Sequence, residues 1–233
     1  MDNLLNEKVN TLRGLIPIGI NGAMKYLKQT DGDIDKAIDL YKSDTFNTVR
    51  KSLDFEISEN KIRKYLDETN FDIQKTKDKL FEDRFTLTER ILLKEKNKEN
   101  ALDKIQYSIE RIFDLKRDFW LSIDQIKELP TPLYSFIIIQ EWRNYESWEG
   151  FGSAILTEFT QYAIKEIRDV LELKEMATKL QSAMEISNHF YSIKRSILER
   201  PDIDIYEEYY QENESILIGY LYDYVKENIT QFP

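Results

Sequence analysis

A fifteen-residue segment occurs twice in this chain, and the duplication constrains the fold more than any other feature. Lys25-Tyr26-Leu27-x-x-Thr30-x-x-Asp33-Ile34-x-Lys36-x-x-Asp39 returns as Lys64-Tyr65-Leu66-x-x-Thr69-x-x-Asp72-Ile73-x-Lys75-x-x-Asp78, offset by 39 residues, with eight of fifteen positions identical. A copied unit of that size is a folding module. At about 40 residues it is too small to be very stable without its neighbour, and small helical modules in tandem usually bind other proteins.

Around the repeat the hydrophobic period is helical, and strand alternation is nearly absent. Leu4, Val9, Leu12, Leu15 and Ile16 predict a first helix ending near Gly14 to Pro17. Asn21 is the expected cap of a second helix through Ala23 and Leu27. Gly32 breaks it, and Asp33 caps a third with Ala37, Ile38 and Tyr41 inward. In the second copy Ser58 and Asp72 take the capping positions, and Phe71 stands where the first copy has Gly32. Modules are thus expected at 1–44 and 45–91, with an acidic helical domain over 92–233. The charged run 92–100 reads as a helical connector. Leu102, Ile105, Ile109, Ile112, Phe113 and Phe119 read as one long helix, and Pro132 can open the next, to about Arg143. Asn144–Gly152 carries the only dense loop signal, and Pro201–Ile205 breaks a later set of helices. The fold class that follows is all-α.

Charge separates the two halves. Residues 1–99 carry 19 acidic and 19 basic side chains, so the whole net charge of −10 lies in residues 100–233. An acidic domain repels phosphate backbones, so direct nucleic-acid binding is not expected. A basic protein surface would be attracted instead. The densest acidic cluster is Glu199, Asp202, Asp204, Glu207, Glu208, Glu212 and Glu214. Most acidic balances only keep a protein soluble, and acids at a helix N-terminus are favoured by its dipole.

The first copy resembles the ubiquitin-associated (UBA-like) fold, especially the N-terminal module of elongation factor Ts. The resemblance is carried by Leu12-Arg13, Gly19-x-x-x-Ala23-x-x-x-Leu27 and Gly32-Asp33-Ile34-x-x-Ala37-Ile38. It implies partner docking on the loop between helices one and two and on helix three, here Ile18, Gly19, Ile20, Ile38 and Tyr41. Ile18 and Ile20 could equally close the small core. The second half resembles the DNA-mimic protein domain through Trp148-Glu-Gly150-Phe151, the segments 162–171 and 177–184, and the tyrosine-rich ending 206–232. That resemblance implies an acidic antagonist of a DNA-binding protein, which must present carboxylates at separations like those of phosphates.

Catalysis finds little support. With no Cys, disulfides, thiolate zinc sites and Cys nucleophiles are excluded. The single His, His189, has no Glu-x-x-His pairing, and no Gly-rich phosphate loop is present. No apolar run approaches a membrane span. The N-terminal Met1-Asp2-Asn3-Leu4-Leu5 lacks the layout of a secretion signal. The expectation is a cytoplasmic, non-enzymatic interaction protein without cofactor or metal. Its expected partner is a protein with a basic nucleic-acid-binding surface, such as a regulator or defence nuclease. A UBA-like adaptor, a translation-associated factor and a cognate immunity protein are the alternatives, and the oligomeric state is open.

Overall fold

The computed structural model describes residues 2–193 and 200–233, and they are all-α. The chain divides into two compact units, Met1–Phe85 and Thr86–Pro233.

Unit one contains α1 (Asp2–Leu15), α2 (Ile20–Gln29), α3 (Ile34–Lys51), α4 (Glu59–Glu68) and α5 (Ile73–Arg84). Two small cores form inside it. Val9, Leu12, Ile16, Ala23, Leu27 and Ala37 make the first; Phe46, Val49, Ile62, Leu66 and Leu80 make the second. Each fully buried leucine in them contributes about 1.5–3 kcal/mol. Helix α3 serves both cores, giving Ala37 to one and Phe46 and Val49 to the other. The expected boundary at 44/45 therefore falls inside a helix, because nothing between Tyr41 and Ser52 breaks it.

Several positions of the repeat have matching backbone tasks in the two copies. The amide of Gly32 donates to Leu27 O at 2.7 Å, and that of Phe71 donates to Leu66 O at 2.7 Å. These bonds close α2 and α4 with the same left-handed turn. The Thr30 and Thr69 hydroxyls donate back to Tyr26 O and Tyr65 O at 3.0 and 2.8 Å. Asp33 and Asp72 then accept from the amides of Lys36 and Lys75 at 3.1 and 2.9 Å, starting α3 and α5. Lys25 and Lys64 lie over the Tyr26 and Tyr65 rings. Phe71 has φ +59, a left-handed conformation for which Gly32 (φ +77) is the natural residue. Its ring packs on Tyr41 at 6.1 Å, beneath Lys42. Asn21 does not cap α2: the helix starts two residues earlier than that cap implies, with Gly19 at the cap and no side-chain bond.

Unit two contains α6 (Leu87–Lys94), α7 (Lys98–Ile112), α8 (Ile123–Lys127), α9 (Thr131–Glu149), α10 (Phe151–Ala154), α11 (Phe159–Asp169), α12 (Lys174–Ile193) and α13 (Asp204–Glu227), closed by a 3-10 turn. Residues 135–143 of α9 are buried at every position, Gln140, Glu141 and Arg143 included. Helices α7, α8, α10, α11 and α13 pack around it. The expected boundary at 91/92 falls inside α6. Thr86 and Glu89 form its capping box, and the Thr88 amide donates to Pro233 O at 2.7 Å, so the start and end of this unit are tied together.

Three expectations are corrected here. Helix α7 ends at Ile112, so Phe119 lies in a loop, not on that helix. The connector 92–100 is interrupted, with Asn97 capping α7 at the amide of Asn100. The loop expected over 144–152 is helical as far as Glu149, because Asn144 donates to Gln106 and Tyr145 stacks on Trp120, holding α9 in register. Gly150, at φ +81, ends it.

Candidate functional site

The acids expected in the second unit fall into two stripes on α13. Asp204, Glu208 and Glu212 recur every four residues and all are exposed. At 1.5 Å rise per residue they stand about 6 Å apart along the axis. Arg200 pairs with Asp204 at 3.3 Å, and Asp202 is exposed just before the helix. Glu207 and Glu214, seven residues apart, turn toward α9 and are half-buried. Glu199 lies outside the described residues.

Glu214 is not a free acid. Arg143, only 4% exposed, donates to Glu214 at 3.0 Å, to Glu99 at 3.2 Å and to Gln140 at 2.9 Å. Gln140 in turn donates to Asp103 at 2.8 Å. Beside this knot, burial pushes the Glu146 carboxyl up to about 7; Glu214 adds to the rise, Arg143 opposes it and Glu207 adds further. Tyr210 packs between Trp142 and Phe151, and its buried hydroxyl and Arg143 Nε have no partner of bonding geometry.

In the first unit, Gly19 and Ile20 are exposed at the α1–α2 connection. Ile18, Ile38 and Tyr41 instead pack against the first core. Tyr41 also meets Tyr26 edge-on and donates to Pro17 O at 3.3 Å, so it joins several parts of the unit.

A second constellation has no counterpart in the sequence-based expectations. Glu141, on α9, is fully buried and accepts four hydrogen bonds from three donors. Gln106 reaches it at 2.8 Å, Arg117 at 2.9 and 2.7 Å, and the Leu121 amide at 2.8 Å. Arg117 also grips Glu110 at 2.8 and 2.5 Å. Burial alone would pull the guanidinium down, but the hydrogen bonds it donates to Glu110 and Glu141 hold it well above its ordinary value. This clamp fixes the loop 113–122. Above it opens a cleft of about 860 Å³, walled by Tyr107, Phe119, Trp120 and Trp148. Phe119 is 88% exposed and Trp148 82% exposed. Phe119 has φ +66, inside an isolated bridge in which the Asp118 amide donates to Trp120 O at 3.3 Å.

Among the described residues no group of three or more His, Cys, Asp or Glu side chains could hold a metal ion, and no helix is long and apolar enough to cross a membrane. His189 is exposed on α12.

The YfbN C-terminal domain family matches residues 86–230. Along nearly its whole length the chain is 32% identical to a protein of Escherichia coli (strain K12) described as uncharacterized protein YfbN, covering 97% of this chain and 95% of that one. The chain belongs to the YfbN family. No solved structure matches it. The domain match begins where the second unit begins, and the YfbN domain therefore contains the cleft, the Arg143 knot and both α13 stripes.

The sequence does carry one trace of the hidden constellation. Gln140, Glu141 and Arg143 interrupt the apolar run Phe136–Ile139 without giving α9 a polar face, which is how buried paired charges look. Phe119 carries no such trace.

Proposed function

We propose that this YfbN-family chain is a non-enzymatic interaction protein whose acidic second unit occupies the nucleic-acid-binding surface of a basic protein, as a DNA mimic does. The observation that carries this reading is the exposed α13 stripe Asp204, Glu208 and Glu212. Its carboxylates follow one another about 6 Å apart along a rigid helix, a spacing close to that of neighbouring phosphates on a strand. Like charges at one-turn spacing destabilise an isolated helix; Arg200 pairs with Asp204, so Glu208 and Glu212 are the acids that call for a compensating cation. Glu214 is held by Arg143 of α9 and Glu207 is half-buried, which leaves the stripe as the part available to a partner. The partner would be a regulator or a defence nuclease, and an immunity protein would use the same chemistry. Its complex should weaken steeply with salt and be displaced by excess DNA. Binding of a basic DNA-binding protein to the full chain and to Glu208→Gln/Glu212→Gln, measured across a salt series, tests it. A complex indifferent to both salt and the double substitution defeats the reading.

One observation favours a second reading, an adaptor acting through the first unit by its UBA-like resemblance. Ile20 stands 53% exposed beside Gly19, at the connection where such modules dock partners. Ile20→Glu in the full chain should then abolish partner capture while leaving the fold intact. Unchanged capture excludes it.

A further inference from the structure

We propose that the cleft between α7, the 113–122 loop and the end of α9 receives an extended, arginine- or lysine-bearing segment of the partner protein. The proposal rests on the reading that the second unit binds a basic partner, and gives that partner a second point of contact.

Charge selects the occupant. Asp103, Glu110, Asp118 and Glu149 line the cleft, against the single cation Arg117. The guanidinium is already held by Glu110 and by the buried Glu141, so it offers little to an incoming anion. Phosphate backbones would be repelled. Burial holds the Asp103 carboxyl above its usual range, with Arg143 lowering it and Glu99 raising it; a cation in the cleft would ease that. Helix α9 adds to the demand. Its last turn has no basic residue and brings Glu149 to the cleft, which puts a carboxylate at the negative end of the helix dipole, where cations are favoured.

The walls select the same chemistry. Phe119, Trp148 and the 66%-exposed Tyr107 present large aromatic surface to solvent. Aromatic faces beside carboxylates suit guanidinium and ammonium groups, which are drawn to ring faces as well as to the acids. Trp120 is braced against Tyr145 with ring centroids 4.6 Å apart, so one wall is rigid. The loop holds Phe119 in a left-handed conformation although its side chain reaches into water, where it gains nothing from burial. Strain kept without packing in return is the mark of a residue placed for contact with something else.

The test titrates the full chain with a short oligo-arginine peptide, with oligo-glutamate as control, followed by calorimetry. Trp148→Ala and Phe119→Gly should each weaken oligo-arginine binding by about tenfold. Asp103→Asn/Asp118→Asn/Glu149→Gln should weaken it further and flatten its salt dependence. Circular dichroism of each variant checks the fold, and exposure of Trp148 and Phe119 makes both substitutions tolerable. If neither Trp148→Ala nor Phe119→Gly changes the affinity, while Glu208→Gln/Glu212→Gln abolishes it, the cleft is not the site and the wider reading stands. If oligo-arginine does not bind the unaltered chain at all, both fall.

Discussion

Two aromatic residues in this chain sit in left-handed backbone, and the fold treats them differently. Phe71, in the second copy of the repeat, occupies the place of a glycine but is half-buried, packed on Tyr41 and covered by Lys42. Phe119, at nearly the same φ, is 88% exposed. Each conformation costs about 1–3 kcal/mol. In the first case packing inside the unit offsets the strain. In the second the loop is held by a clamp elsewhere, and the ring itself returns nothing to stability. The difference separates an aromatic that serves the fold from one positioned for a partner.

The clamp offers the strongest way to break the comparison. Glu141→Gln removes the charge that Arg117, Gln106 and the Leu121 amide share, and should lower stability by about 2–3 kcal/mol in denaturant titration. It should also release the 113–122 loop, seen as faster amide exchange there; unchanged exchange would mean that the clamp does not hold Phe119. Phe71→Gly relieves strain but deletes packing, so a net loss of about 1 kcal/mol is expected from chemical unfolding. Phe119→Gly relieves the same strain and deletes no packing. Stability should stay level or rise by up to about 1 kcal/mol, while oligo-arginine binding falls. Opposite signs for the two glycine substitutions would sharpen the contrast, and equal losses would erase it.

The last effect is confined to one pH window and concerns Glu146. Burial raises its carboxyl in the folded chain to about 7, above the ordinary 4.5. Between those values the unfolded chain releases a proton that the folded chain keeps, so the group's contribution to stability declines as pH rises through the window. Glu146→Gln should remove that decline, a gain of about 1 kcal/mol near pH 8 and almost none near pH 4, allowing for solvent screening. Urea unfolding at the two pH values measures it; equal shifts at both would show that Glu146 titrates normally.

What could be read from the sequence follows from which physics is local. The repeat was legible because its identical residues do backbone work within a few positions: Thr30 and Thr69 close a turn, and Asp33 and Asp72 open the next helix. The helical period gave the all-α class for the same reason. The split of the α13 acids into an exposed and a committed stripe was not legible, because Arg143, the residue that claims Glu214, lies 71 positions away. Helix α9 ran past its loop-like composition because Asn144 and Tyr145 found tertiary partners. The conformation of Phe119 depends on Arg117, Glu141 and Leu121 meeting across the fold, and nothing in Arg117-Asp-Phe-Trp120 announces it.

Helix α3 has a consequence for how the first unit melts. Because one uninterrupted rod supplies residues to both small cores, fraying either core loosens the helix on which the other is built. The two copies should therefore lose structure together, in a single transition, and not as two beads on a string. A cut at position 44 would leave two fragments that each lack a wall. The duplication set its copies end to end in sequence, and the shared helix should make them melt as one body.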